Sequence, residues 1–363
     1  MSDFSSRLLE WYAIHGRTGM PWQKQKDPYL VWLSEIMLQQ TQVETVRDRY
    51  TAFLKTFPTL IDLANAPIDA VMSLWAGLGY YSRARNLHAC AKIIMQEHGG
   101  VFPNKASILE ELPGIGPSTA AAIAAFCFDE PISILDANVK RVLARVFAFE
   151  QDIKNTKASF ELWQLAQSLV PKKTKEMPAY TQALMDFGAT VCTPKNPKCK
   201  TCSMRRHCQA FIEGKVDILP IQKKKKKPDV FFCEFLLVIQ GQEVLMVKRP
   251  PSGIWGGLWC LPESAWSKLE EGQTAQVRSF KLAYPEMPAQ LFRYYDSATK
   301  VLPPQKHIFT HRVLFYQIRM IHLHQKLEQM TPEMQWVTNE KITLLGLPTP
   351  IQRFMSDYLQ IIF

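Results

Sequence analysis

The sequence predicts two fold types in one chain: an all-α region up to Pro220 and an α+β region from Val230 onward. Three observations predict this. Residues before Pro220 carry helix caps, small-residue runs and apolar stretches of helical length. The run Lys223 to Lys227, between Pro220 and Pro228, is a charged and solvated linker, drawn to polyanions without reading sequence. Beyond it, Phe231 to Gln240, a turn at Gly241, and Val244 to Lys248 read as a β-hairpin. A length of 363 residues leaves room for two or three domains with sizeable cores.

In chain order, Ser2 to Ile14 has the pattern of an amphipathic helix. Asp27-Pro28 opens a second helix, with Asp at the cap and Pro at the first helical position, running to about Arg49. Pro67 to Trp75 forms a short helix ending in Gly77-Leu78-Gly79-Tyr80-Tyr81, and Ser82 opens another to Glu97. Lys105 to Glu111 is a short helix. Leu112-Pro113-Gly114-Ile115-Gly116-Pro117-Ser118-Thr119 is a tight hairpin, and Ser118 or Thr119 caps or begins the helix through Ala120 to Ala125. Pro131 to Leu135 is extended, with Asp136 at an N-cap; Thr156 to Val170 and Pro178 to Ala189 are helices. The strand Val313 to Met320 and a helix from Pro350 to Ile361 complete the α+β part.

A net charge of +10 and a pI near 9.1 point to a polyanion, nucleic acid or an anionic membrane surface. No signal peptide is read in Met1 to His15. The longest apolar run, Phe231 to Ile239, contains Glu234 and is too short to span a bilayer. The expectation is an intracellular, soluble protein with no membrane partner. Eight cysteines in such a chain argue for thiols and metal over disulfides.

Several residue patterns carry chemistry, each beside a plainer reading. Gly114 and Gly116 before a helix N-terminus let backbone N–H groups approach a phosphate, or serve an ordinary αα corner. Glu35, flanked by Trp32, Leu33, Ile36, Met37 and Leu38, is either a desolvated carboxyl with a raised pKa or a solvated helix-face glutamate. Gln39-Gln40-Thr41-Gln42 is either a solvent stripe or a set of amides that reaches base edges. The tyrosines after Gly79 form an exposed wedge or pack under their loop. Asp136 as an N-cap accepts N–H bonds and stays ionised, which is a complete structural role. A low-pKa carboxylate beside a raised one also suits glycosidic chemistry. Cys192-x6-Cys199-x2-Cys202-x5-Cys208 is a strong ligand set whose four thiolates suit zinc or a four-iron cluster. Lys195, Lys198, Lys200, Arg205 and Arg206 beside it form a phosphate-contacting surface.

Taken together, Leu112 to Thr119, Leu135-Asp136-Ala137-Asn138-Val139-Lys140-Arg141, Trp32 to Val43, Gly77 to Arg83 and the four cysteines resemble the helix-hairpin-helix DNA glycosylase superfamily. Within it the match is to the endonuclease III-like MutY family of adenine DNA glycosylases. It is specific to about residue 214 and looser after about 230. The resemblance implies a multidomain chain. Residues 1–220 would form an all-α helix-hairpin-helix glycosylase domain with an iron–sulfur cluster loop: a six-helix barrel module over about 25–130 and a cluster module from 1–24 and 131–220. A lysine-rich linker over 221–229 would lead to a C-terminal α+β Nudix-like domain over 230–363. The segment Ile254 to Glu263 resembles the entry to a Nudix fold, but the Arg-Glu-x-x-Glu-Glu pattern is absent from the residues that follow, so no phosphohydrolase activity is expected.

The resemblance also implies roles. Glu35 matches the general acid, with Asp136, Asn138 and Ser118 completing the catalytic set. Cys192, Cys199, Cys202 and Cys208 would hold one [4Fe–4S] cluster. DNA would be bound by Gln40, Thr41, Leu78, Tyr80, Gly114, Gly116 and Lys140. The adenine pocket would contain Trp22, Leu38 and Gln182, and Phe309, Thr310 and His311 would read 8-oxoguanine. The family has Gly where this chain has Ala137, and Ser where it has Thr310. Bifunctional relatives carry a lysine at position 118 that forms a Schiff base, and a serine cannot. The implied activity is base excision of adenine mispaired with 8-oxoguanine or guanine, flipped out of the duplex and leaving an abasic site. Double-stranded DNA is the expected partner, with repair-protein partners unidentified. The resemblance further implies a cytoplasmic, nucleoid-associated monomer of bacterial type. A pyrimidine-lesion glycosylase/lyase would need lysine at 118 and no C-terminal domain. A catalytically silent DNA-binding protein would have no use for both Glu35 and Asp136. The missing Nudix helix disfavours a nucleotide pyrophosphohydrolase.

Overall fold

The computed structural model describes residues 2–23, 26–222, 227–270, 298–327 and 330–362. The linker residues Lys223–Lys226 lie outside them, as do residues 271–297, part of the stretch that lacks the Nudix helix pattern. The chain divides into two compact units. One comprises 1–65 and 86–224, the other 66–85 and 225–363.

The helices of the chain up to residue 212 are α1 (Ser2–His15), α2 (Pro28–Leu38), α3 (Val43–Thr56), α4 (Leu60–Asn65), α5 (Ile68–Leu74), α6 (Ser82–Glu97), α7 (Ala106–Leu109), α8 (Pro117–Phe128), α9 (Ala137–Val146), α10 (Thr156–Ser168), α11 (Met177–Thr190) and α12 (Gln209–Ile212). Asp27 caps α2 by accepting from Tyr29 N at 2.8 Å, and Pro28 fills the first position. The helix expected to run to Arg49 is two helices. It stops at Leu38 because Gln39 leaves the helical region and Gln40 takes φ +57, and Gln42 then caps α3. Gln39 to Gln42 therefore form a connector and not a helical stripe.

In the first unit, α8 is buried all round, as its alanines and Ile123 predict. Gly116 is its N-cap and Pro117 its first residue, so the hairpin, and not Ser118 or Thr119, starts the helix. Leu8 and Trp11 of α1, Val139 and Leu143 of α9 and Leu184 and Phe187 of α11 share one core, with Trp11 edge-on to Phe187 at 5.0 Å. Truncating Leu184 to Ala there costs about 2–5 kcal/mol.

The second unit holds a mixed sheet of eight strands among the described residues: β1 (Asp229–Gln240), β2 (Glu243–Lys248), β3 (Trp259–Cys260), β4 (Ser267–Lys268), β5 (Lys300–Val301), β6 (Gln305–Ile308), β7 (Arg312–His322) and β8 (Met334–Thr338). β1 and β2 form the expected hairpin, Gln240 opposite Glu243, with Gly241 at φ +58 in the turn. β1 pairs with β7 in parallel, from Asp229–Arg312 to Ile239–His322. β6 and β7 form a second hairpin whose last pair is Ile308–Val313. The helix Thr349–Ile362 closes the chain. α5 and the loop after it belong to this unit. Lys248 pairs with Asp69 at 2.7 Å, and the Tyr81 hydroxyl donates to the Leu347 carbonyl at 3.2 Å.

Candidate active site

A cavity of about 260 Å³ opens in the helical unit. Glu35, Ser34 and Val31 reach it from α2, Tyr12 from α1, Phe126 from α8 and Gln182 from α11, and Trp22 lies on the connector between α1 and α2. The volume suits a purine base. Sequence reasoning placed Glu35, Trp22 and Gln182 here; Leu38 does not line the cavity.

Burial pushes Glu35 up to about 7, and the nearby Asp136 carboxylate adds to the shift. Asp136 itself contradicts the expectation of a low pKa. Burial raises it, and this outweighs the bonds it accepts from Val139 N (2.8 Å) and Asn138 Nδ2 (3.2 Å) and the charge of Arg141. Both carboxyls are thus pushed up by burial, and the charge of Asp136 adds to the rise of Glu35. One protonated and one ionised carboxyl is the pairing that glycosidic bond cleavage uses.

The sequence reading missed Arg17, which lines the cavity, and its partner Asp186, which does not. Asp186 on α11 is fully buried. It accepts from Arg17 Nε (2.8 Å), Nη2 (2.7 Å) and backbone N (2.8 Å), and from Gln182 Nε2 (3.0 Å). Asp186 thus fixes two polar groups at the cavity. A buried aspartate within Ala183-Leu184-Met185-Asp186-Phe187 was the available signal, since such a charge needs a cation.

Asn138 and Arg141 follow Asp136 on α9. Arg141 donates through Nη2 to Asn138 Oδ1 (2.9 Å) and the Gly188 carbonyl (2.8 Å), and through Nε to the Cys192 carbonyl (2.7 Å). One turn on, Arg145 donates to the carbonyls of Leu219 (2.9 Å) and Thr193 (2.7 Å) and lies 3.6 Å from Cys192 Sγ. Two buried arginines four apart on α9 were legible in sequence as one helix face seeking acceptors. Cys192, Cys199, Cys202 and Cys208 line one pocket as free thiols. No group of three or more described His, Cys, Asp or Glu side chains is arranged to hold a single ion. Four thiols around one space, with a guanidinium beside them, fit a metal centre held by thiolates.

Ser118 accepts from Leu135 N at 3.2 Å. Gly114 has φ +79, and a Cβ there would lie 2.7 Å from Asn86 Cβ, so the hairpin needs glycine twice over. Gly116 opens α8 with free space beside it. Lys140 donates to Ser159 Oγ at 3.1 Å, and Thr41 Oγ1 to the Gln39 carbonyl at 3.3 Å. In the second unit, Tyr80 is 41 % exposed while Leu78 and Tyr81 are buried. Tyr80 takes φ +47, so Gln40 and Tyr80, two of the residues expected to bind DNA, both have left-handed backbone. Thr310 and His311 sit exposed at the tip of the β6–β7 hairpin, closed by Phe309 N to the Arg312 carbonyl at 2.9 Å. The Tyr80 hydroxyl and Thr310 Oγ1 are 2.5 Å apart.

Residues 33–168 match the family described as HhH-GPD superfamily base excision DNA repair protein, and residues 234–357 match the NUDIX domain. An adenine DNA glycosylase of Buchnera aphidicola subsp. Acyrthosiphon pisum is 31% identical, with 99% of each chain covered. The chain belongs to the adenine DNA glycosylase family. The human adenine DNA glycosylase is 33% identical over 99% of this chain and 74% of its own. Among solved structures, a thermostable thymine-DNA glycosylase is 29% identical with a TM-score of 0.53, covering 58% of this chain and 96% of that one. An endonuclease III in a non-covalent DNA complex, 18% identical with a TM-score of 0.50 over 58% of this chain and 95% of that one, shares the fold. Membership makes the chain a DNA N-glycosylase of base excision repair with a helical catalytic part and a Nudix-like C-terminal domain. No described helix is long and apolar enough to cross a membrane.

Proposed function

We propose that this adenine DNA glycosylase acts on adenine opposite 8-oxoguanine, and less readily opposite guanine, by hydrolysis alone. The observation that carries the mechanism is Glu35, which lines a cavity in the helical unit and is held up to about 7 by burial, with the charge of Asp136 adding to that rise. The flipped adenine enters the cavity, where Arg17 and Gln182, braced by Asp186, face its polar edge. Glu35 gives its proton to N7. The C1′–N9 bond breaks and its electron pair leaves with the base. Asp136 carries the negative charge that stabilises the oxocarbenium-like sugar, and Asn138, oriented by Arg141, fixes that carboxylate. Water adds to C1′ and its proton returns to Glu35.

Support for base removal without strand cleavage comes from Ser118, which cannot form a Schiff base and whose hydroxyl is engaged by Leu135 N. Cys192, Cys199, Cys202 and Cys208 would hold one [4Fe–4S] cluster, which would cross-link the loop that Arg141 and Arg145 join to α9. Gly114 and Gly116 would admit a phosphate, and Gln40, Thr41, Tyr80 and Lys140 would contact DNA; Leu78, expected to do so, is buried and would instead support the loop that carries Tyr80. Phe309, Thr310 and His311 would read the base opposite adenine, a reading supported by their exposed hairpin tip and its bond to Tyr80.

The test is single-turnover adenine release from duplexes with adenine opposite 8-oxoguanine, guanine and thymine, with Glu35→Gln in parallel. The expected result is fast release opposite 8-oxoguanine, abolished in the variant, with the strand intact until alkali. Release that ignores the opposite base removes the role of residues 309–311. Nicking that depends on an internal lysine refutes the hydrolytic reading.

A further inference from the structure

The motif Ile254-Trp255-Gly256-Gly257-Leu258-Trp259 has no part in the mechanism above. Trp255 is 7 % exposed and takes φ +55, a left-handed conformation that a bulky aromatic residue rarely adopts. Its neighbours force the turn. A Cβ on Gly256 would lie 2.8 Å from the carbonyl oxygens of Pro251 and Ser252, and Gly257 has φ +74. The turn directs the indole to the tip end of the β6–β7 hairpin. Its ring centroid is 5.1 Å from Phe309, 5.7 Å from His307 and 5.6 Å from Trp266. Trp266 reaches Phe309 at 6.0 Å, and His307 meets Phe309 edge-on at 4.6 Å. The Arg249 guanidinium is 5.4 Å from the Trp255 ring and is itself fixed by Glu263 and by the Ile254 carbonyl at 3.2 Å.

This arrangement differs from ordinary core packing in what it supports. Phe309 is half-buried and the residues after it are exposed, so the cage ends at a solvent-facing tip. That tip is held from two sides: Phe309 by packing on Trp255, and Thr310 by the hydroxyl of Tyr80. We infer that Trp255 is a positioning residue for opposite-base selection, acting through Phe309 to fix where Thr310 and His311 stand. The inference rests on the reading of residues 309–311 given above.

The experiment compares wild type, Trp255→Leu, Trp255→Met and Trp255→Phe in full-length protein. The readout is the ratio of single-turnover adenine release opposite 8-oxoguanine to that opposite guanine. A role confined to folding lowers both rates together and leaves the ratio unchanged. The expected result is a ratio lowered about ten-fold in the Leu or Met variant, whichever folds by circular dichroism, and restored to within about two-fold by Phe. A ratio kept within about two-fold of wild type in a folded Leu or Met variant overturns the role of Trp255 while leaving that of residues 309–311 intact. A wild type that shows no preference between the two opposite bases removes the parent reading, and this inference with it.

Discussion

Arg141 donates its Nε to the Cys192 carbonyl at 2.7 Å while its Nη2 holds Asn138 Oδ1 at 2.9 Å, so one guanidinium joins the first cysteine of the loop to the residue that fixes Asp136. Replacing Arg141 with Leu leaves the carbonyls of Cys192 and Gly188 without this donor, at about 1–3 kcal/mol each. Thermal unfolding and single-turnover release on one preparation check the expectation that stability and rate fall together. A variant that loses stability alone would detach Arg141 from the chemistry.

Glu35 gives a pH dependence with a definite sign. Its folded pKa of about 7 lies above the ordinary 4.5, so the folded state binds the extra proton between those values. Stability is therefore lost as pH rises through that window. Release that needs the acid form also declines as pH rises past about 7. Glu35→Gln removes this cost, and the variant is expected to be more stable than wild type at pH 8 by on the order of 3 kcal/mol while inactive. Unfolding at pH 5 and pH 8 measures it; an equal gain at both values would contradict the assigned shift.

Gly188 lies where α11 meets the start of α9, and a Cβ there would stand 2.6 Å from Asn138 Cβ. Gly188→Ala must displace Asn138 or the helix, costing about 1–3 kcal/mol. Because Asn138 holds Asp136, adenine release is expected to slow more than Tm alone would suggest. A variant with lowered Tm and wild-type single-turnover rate would refute this.

Arg17→Ala leaves Asp186 fully buried without its cation, a loss of about 3–5 kcal/mol. Arg17→Ala with Asp186→Asn should recover part of that stability without recovering adenine release, because Arg17 faces the cavity. Chemical denaturation of the single and double variants is the measurement. Additive losses would show that the two residues do not act as a pair.

The extent of the helices was legible where local chemistry decides it: Asp27-Pro28 for α2, the alanine run for α8, Asp136 for α9. It was not legible at Gln39 to Gln42, which can sit in a helix; the left-handed turn at Gln40 overrides local propensity. That Cys192, Cys199, Cys202 and Cys208 gather around one pocket could be read from their close spacing along the chain. The partner of Asp186 and the role of Trp255 could not: an aspartate in an apolar run signals that a cation is needed, but Arg17 and Phe309 lie far away in sequence. The sign of the Asp136 shift was missed for a related reason. The cap bonds are local, but the burial that outweighs them comes from distant segments.

The parallel pairing of β1 with β7 has a consequence for how the chain acquires its structure. Asp229 meets Arg312 across an intervening segment that contains all of β2 to β6, so the central ladder of the second unit is a long-range contact. Such pairings close large loops and form slowly. During synthesis the residues up to 222 leave the ribosome first, and α8, α9 and α11 can pack before β7 exists. Until β7 arrives, the apolar strand Phe231 to Ile239 has an open edge, and the interval between the two is when this chain is most exposed to aggregation.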